Sequence, residues 1–204
     1  MILAVTFTRK AAQELGNRVA EALGHEEAKF LTVSTFHSLA LKICRENPEA
    51  ADRKRGFSVW DDKTMSAQIR RLWKEEVAAQ PDEDREKLKR LRADTDTILS
   101  LLYACKDRGL DPKSDPLIRE ALTAMDGPCL EVVLAYEELK VTCNALDFAD
   151  LIWSAVLAME GDSWTHSRVA SKWRYVMVDE YQDSSKIQER FVRLIAEGHQ
   201  NLMV

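Results

Sequence analysis

Four short apolar runs set the frame of this chain: ILAVT (2–6), FLTVS (30–34), YVMV (175–178) and NLMV (201–204). They are rich in Val, Ile and Leu with almost no polar alternation, the pattern of strands buried on both faces of a parallel sheet. A helix-length segment follows each of the first three, which is the βα order of an open α/β sheet. The segment 9–23 begins after Thr8, a residue suited to N-capping, and Gly24 stands where a left-handed C-cap residue would. Ala12, Leu15, Val19 and Leu23 recur at helical spacing and predict its buried face. The segment after 178 carries Ser185 and Gln188 in capping-box spacing. Ile187, Phe191, Leu194 and Ile195 form its apolar stripe, and Gly198 is expected to close it.

The middle of the chain, 52–145, has another character. Segments such as DREKLKRLRADTDTILSLLYACKDRGL are helical and densely charged, and strand signal is confined to FSVW (57–60). Pro48, Pro81, Pro112, Pro116 and Pro128 fall at expected breaks between helices. The chain is thus expected to divide into 1–51 and 146–204, which share the sheet, and an inserted α-helical subdomain at 52–145. It opens on a strand and stops on one, whereas termini usually lie at the surface, so a piece of a larger domain is expected. A sheet edge left bare in such a piece favours marginal stability or association through strands.

Composition excludes several classes. A net charge of −5 on 204 residues argues against a uniformly basic nucleic-acid coat protein, although local basic sites remain compatible with it. Cys44, Cys105, Cys129 and Cys143 have no C-x-x-C spacing and read as reduced thiols. No apolar run reaches the roughly 18 to 20 residues of a membrane helix, and the first residues lack a signal-peptide pattern. A cytoplasmic protein with no membrane partner is expected.

In open α/β sheets, ligands bind outside the carboxyl ends of the strands. The run YVMV delivers Asp179 and Glu180 to that edge. One carboxylate there suits the water shell of Mg²⁺, and its neighbour suits activation of an attacking water, although acidic pairs at strand ends also cap helices. None of the seven glycines precedes a lysine, so the acid pair has no phosphate-cradling loop within the chain. The first run delivers TFTRK. Arg9 and Lys10 stand in the first helical turn, where a positive side chain opposes the macrodipole at about 0.3–1 kcal/mol each. An anion in front of that turn would explain them, and so would plain solvation. Phe7 is suited either to stacking on a base or to the core. The second run repeats the corner with STFHSL: Ser34 or Thr35 suits the cap, and Phe36 and His37 stand at the mouth. Two such corners on adjacent strands favour a polynucleotide track. A metal nuclease would need further carboxylates converging on Asp179, and no second acidic cluster at a strand end is expected.

These residues resemble a known family. ILAVTFTRKAAQEL…RV is similar to motif Ia of superfamily-1 DNA helicases of the UvrD/Rep/PcrA type, STFHSLALKI to motif Ib, and YVMVDEYQDSSKIQ to motif II. NALDFADLI (144–152), ACKDRGLDP and AYEELK also resemble family stretches. The resemblance implies a partial RecA-like P-loop NTPase motor domain, subdomain 1A interrupted by helical subdomain 1B, with the phosphate loop upstream and motif III downstream. It implies ATP and Mg²⁺ as cofactors, Asp179 on the metal, Glu180 on the water, and Gln182 and Asp183 coupling the site to its neighbours. Thr6, Phe7, Thr8, Arg9 and Lys10, with Thr35, Phe36, His37 and Ser38, would line single-stranded DNA. Partners would be single-stranded and partly duplex DNA and the second motor domain, in the bacterial cytoplasm near the nucleoid. Arg9 stands where the family often has Asn, Ala149 where it often has Asp, and Ser185 where Asn is frequent; the second departure leaves position 149 without an expected role. A helicase–nuclease motor shares these motifs, and a degenerate motor kept for partner binding is the alternative from another class.

Overall fold

The computed structural model describes residues 1–81, 85, 86, 88 and 94–204. They split into two units, Met1–Arg55 with Leu151–Val204, and Gly56–Asp150. The boundaries thus fall at 55/56 and 150/151, where the sequence places 51/52 and 145/146.

The first unit is built on a four-stranded sheet. Its strands, numbered in chain order, are β1 (Ile2–Thr6), β2 (Leu31–Thr35), β5 (Tyr175–Val178) and β6 (Leu202–Met203), all parallel and ordered β2-β1-β5-β6. In β1, Leu3, Ala4, Val5 and Thr6 are buried, as an interior strand requires. The expectation of burial on both faces fails for the others. β2 is half-buried along most of its length, and Tyr175 and Met177 of β5 point to an exposed face. The second strand also starts one residue later than expected, leaving Phe30 exposed. The last is a two-residue bridge rather than four.

Helix α1 (Arg9–Leu23) begins on Thr8, whose side-chain oxygen accepts from the Ala11 amide. Its expected apolar face is only half-buried, and Leu23 is 61% exposed, because it rests on the edge strand β2 with no residue of α1 fully covered. Gly24 has φ 91 and ψ 157, so the positive φ requires glycine but the conformation is extended and not the left-handed cap expected. After α2 (His25–Ala28) and β2, helix α3 (Phe36–Glu46) is capped by Thr35 and buries Phe36, Leu39, Ala40 and Ile43. Helices α8 (Asp150–Gly161) and α9 (Ser163–Ala170) bring the chain to β5. From Leu151 on, α8 buries residues around much of its circumference, among them Ile152, Ala155, Val156 and Met159, and so it is interior to this unit. Helix α10 (Lys186–Ala196) has the predicted capping box between Ser185 and Gln188, and Ile187, Phe191 and Ile195 are buried. Its end differs from expectation: the helix stops at Ala196, and the positive φ of the following turn falls on Gln200 and not on Gly198.

The second unit is helical. Its members are α4 (Asp62–Ala79), α5 (Thr95–Asp107), α6 (Pro116–Thr123) and α7 (Cys129–Thr142). Residues 84, 87 and 89–93 of the charged stretch expected to be helical lie outside the described residues, as do 82 and 83. Met65, Ile69 and Trp73 of α4, Ile98 and Leu102 of α5, Leu122 of α6, and Val132 and Tyr136 of α7 share one core. Gly127 serves that core, because a Cβ there would come within 2.4 Å of the Trp73 ring. The prolines fall where the sequence puts helix breaks, with Pro116 in the first turn of α6 and Pro128 capping α7. A strand in this unit was not foreseen. Ala145–Asp147 forms β4, which pairs in parallel with β3 (Ser58–Trp60), the strand predicted from FSVW.

Candidate functional site

Parallel pairing in the first unit brings three chain segments to one edge of the sheet. Thr6 is level with Thr35, Val5 is level with Val178, and the Asp179 amide donates to the Val5 carbonyl at 3.0 Å. The carboxyl ends of β2, β1 and β5 therefore present STFHS, TFTRK and DEYQD side by side.

At β5 the ladder ends abruptly. Asp179 is exposed, and its carboxylate has no hydrogen-bond or ion-pair partner among the described residues. Glu180 adopts φ 52 and ψ 40, a left-handed conformation that disfavours any residue with a Cβ. This kink starts the 3₁₀ turn Tyr181–Asp183, closed by the Asp183 amide on the Glu180 carbonyl at 2.9 Å. Gln182 donates from Nε2 to the Glu180 carboxylate, which fixes the direction of that acid. An exposed, unpaired carboxylate beside a second, oriented one fits a magnesium ion that keeps most of its waters. Sequence reasoning missed the ion pair behind the turn. Glu189 of α10 accepts from Arg193 Nε at 2.9 Å and Nη2 at 2.7 Å, and Arg193, with the Tyr181 side chain, holds the Glu189 carboxyl below its usual value.

The predicted polynucleotide track divides by burial. Thr8, Arg9, Lys10 and Ser38 are exposed, and Phe7 and His37 are half-buried. Thr6, Thr35 and Phe36 are buried, so these three cannot offer side-chain surface as expected. Their work is internal. Thr6 Oγ1 donates to the Thr8 carbonyl at 3.1 Å, Thr35 caps α3 through the Ser38 amide at 3.2 Å, and the Phe36 ring packs 5.3 Å from Phe7. Arg9 and Lys10 have no acidic residue in the first turn of α1 and no ion-pair partner among the described residues. Burial lowers the His37 imidazole below its ordinary value, so at neutral pH it is an uncharged donor and acceptor.

A second acidic cluster at a strand end does exist, contrary to the sequence reading. Asp147 closes β4, and its carboxylate lies with those of Glu137 and Asp150, oxygen atoms within 4.8 Å of one another. Two buried ammonium groups already serve them. Lys140 Nζ donates to Glu137 at 3.0 Å, Asp147 at 2.8 Å and Asp150 at 2.7 Å, while Lys106 Nζ donates to Glu137 at 2.9 Å and to Asp150. Tyr136 donates its hydroxyl to Asp147 at 3.1 Å. Burial opposes the charge on Lys106, but Asp150, Glu137 and Asp147 overcome it and hold its ammonium well above the usual lysine range. Burial likewise opposes the charge on Asp150, and Lys106 and Lys140 outweigh it, holding that carboxyl well below its usual range. The two ammonium groups occupy the space among the carboxylates that a metal ion would take. Asp179 joins no group of three metal-binding side chains among the described residues.

Known proteins similar to this chain share its family. A family model described as the UvrD/REP helicase N-terminal domain matches residues 1–204. The ATP-dependent DNA helicase Rep of Escherichia coli (strain K12) is 34% identical over 194 residues, covering 95% of this chain and 27% of that protein. The ATP-dependent DNA helicase PcrA of Leuconostoc citreum is 30% identical over 208 residues, covering 100% of this chain and 26% of its own length. PcrA of Bacillus subtilis (strain 168) is 30% identical over 203 residues, again with 100% and 26% covered. The chain spans about a quarter of the length of these relatives.

Proposed function

Because this chain belongs to the UvrD/REP helicase N-terminal family, we propose that it is the central part of the first motor domain of an ATP-driven DNA translocase. In this reading Met1–Arg55 and Leu151–Val204 belong to the motor subdomain 1A, and Gly56–Asp150 is the inserted subdomain 1B. The whole protein would couple ATP hydrolysis to movement along single-stranded DNA and unwind duplex in the 3′ to 5′ direction, in bacterial repair or replication. The observation that carries the reading is the shared sheet edge: an unpaired Asp179 and an oriented Glu180 stand one strand away from a helix whose first turn bears two unpaired cations.

Asp179 would hold Mg²⁺, which would neutralise charge on the transferring phosphate. Glu180, aimed by Gln182, would accept a proton from the attacking water, and the left-handed turn places that acid beyond the strand end where water can reach it. Thr8, Arg9, Lys10 and Ser38 would contact the phosphate backbone, with Phe7 and neutral His37 beside the bases. Buried Thr6, Thr35 and Phe36 would shape that surface from below.

The test is DNA-stimulated ATP turnover by the full-length protein. Glu180→Gln is expected to lower turnover by about 10²- to 10⁴-fold while DNA binding is retained. The isolated 204-residue chain is expected not to turn over ATP, because positioning and charge neutralisation supply most of this catalysis. Full-length protein that binds DNA yet hydrolyses no ATP would favour a non-catalytic interaction module instead.

A further inference from the structure

A basic groove lies on the first unit at the edge of the sheet away from the acid pair. Helix α3 starts at the carboxyl end of β2 and runs back along the sheet, so its last turn reaches the amino ends of the strands. The segment after α9 arrives at the same edge, where the Arg174 amide donates to the Met1 carbonyl at 2.8 Å. Between them is a cavity of about 330 Å³ with Ile43 and Trp173 among its lining residues. Trp173 is buried and fixed by its indole N–H on Thr32 Oγ1 at 3.1 Å, so that wall is rigid.

Around this floor stand Lys42, Arg168 and Lys172, with Glu46 as the one acid. Glu46 serves two of the three cations, and loosely. Arg168 Nη2 is 3.3 Å from it, and Lys172 Nζ is 3.3 and 3.4 Å from its two oxygens, against about 2.7–2.9 Å for a tight charge-assisted bond. Lys42 has no ion-pair partner among the described residues. Three cations beside one carboxylate leave a local surplus of positive charge on a chain whose net charge is −5. Two aromatic rings extend the arrangement. The Lys172 ammonium lies 5.3 Å from the Trp173 centroid, and the Arg168 guanidinium lies 4.9 Å from the centroid of Trp164, which is 62% exposed.

We propose that this groove is a second contact for single-stranded nucleic acid, taking one backbone phosphate among Lys42, Arg168 and Lys172 with the neighbouring base stacked on Trp164. Cations lining a groove beside an exposed aromatic ring are the two parts of a sequence-independent strand contact. The loosely held Glu46 is the group a phosphate displaces. The contact is independent of nucleotide chemistry at Glu180 and shares with the proposed function only its ligand class.

The experiment crosslinks the full-length protein to a single-stranded oligonucleotide carrying 5-iodouracil and maps the joined peptides by mass spectrometry. A crosslink at Trp164 is expected in addition to any near Phe7 or His37. Glu46→Gln removes the competing acid and is expected to raise that crosslink several-fold, an outcome that misfolding cannot imitate. Lys42→Ala with Lys172→Ala is expected to lower it about ten-fold and to flatten the slope of log affinity against log salt by roughly 0.7 for each phosphate no longer neutralised. Crosslinks confined to 6–10 and 35–38 and unmoved by Glu46→Gln overturn the proposal. Protection of Lys42 and Lys172 from acetylation by inorganic phosphate but not by the oligonucleotide would make the groove a free-phosphate site. Protection by polyglutamate alone would make it a site for an acidic protein. Either result overturns the strand contact. Glu180→Gln is expected to leave the Trp164 crosslink unchanged, so a failed motor and a failed groove are told apart.

Discussion

The two acidic clusters of this chain both stand at the ends of parallel strands, and they are built in opposite ways. Beyond β5, Asp179 and Glu180 are exposed, one without a partner and the other on a left-handed backbone. Beyond β4, Asp147 and Asp150 are buried, joined to Glu137, and shared between two lysines and a tyrosine. Even their amides are occupied: the Asp147 N–H donates to the Asp150 carboxylate at 2.9 Å, and the Asp150 N–H donates to Asp147 at 2.8 Å. The difference separates two uses of the same side chain. The exposed pair is left wet and, at Glu180, locally strained, whereas the buried carboxylates have their hydrogen bonds satisfied inside the fold.

The comparison is broken most severely by removing one buried cation. Lys140→Met leaves three carboxylates with one ammonium and is expected to cost about 3–5 kcal/mol. Urea unfolding, with hydrogen exchange along α7, measures it. Acid is the next largest perturbation. The folded Asp150 carboxyl lies below its unfolded value of about 3.9, so its stabilisation is fully present above that pH and is lost as pH falls through the folded value. Lys106 is the mirror case. Its folded value lies above about 10.4, so its contribution is complete below that pH and fades as pH rises through the folded value. Stability of the helical unit is therefore expected to hold through neutrality and to fall at both extremes, and a denaturation series across pH checks it.

Smaller changes sharpen the contrast on the exposed side. Ser185→Ala removes the cap that starts α10 behind the acid turn and is expected to cost about 1 kcal/mol in thermal unfolding. Glu180→Gly is expected to act in the other direction, stabilising by up to about 1 kcal/mol because glycine accepts the left-handed backbone. A loss on that substitution would show that the turn is held by the Glu180 side chain rather than strained by it.

Much of the sheet was legible because its signals are local. ILAVT and YVMV end where the apolar run meets Thr or Asp, and Thr8 and Ser185 announce the helices that follow. What sequence could not give was depth. Leu23 has the right spacing for a core position and lies exposed, while Phe36, in a motif-like corner, is interior. Periodicity reports which side chains share a face, but not whether another layer covers it. The acid pair was legible as a pair at a strand end. The Lys106–Lys140 cluster was not, since its members come from α5, α7, β4 and α8 and no spacing links Lys106 to Asp150 before folding. The strand β4 escaped notice for a related reason: Ala145–Asp147 is too short to show alternation, and only pairing with β3 makes it a strand.

The sheet order carries a consequence for synthesis. β1 lies between β2 and β5, so residue 2 must meet residue 175 across the whole helical unit. Deleting 56–150 would roughly halve that loop, a change worth only about 0.6 kcal/mol, so at equilibrium the insertion is nearly free. Time is another matter. At about 5–20 residues per second on the ribosome, β5 follows β1 by roughly 10 to 30 seconds. Through that interval β1 has β2 on one side and an open edge of unpaired backbone N–H and C=O groups on the other, and the nascent chain needs that edge shielded until its partner arrives.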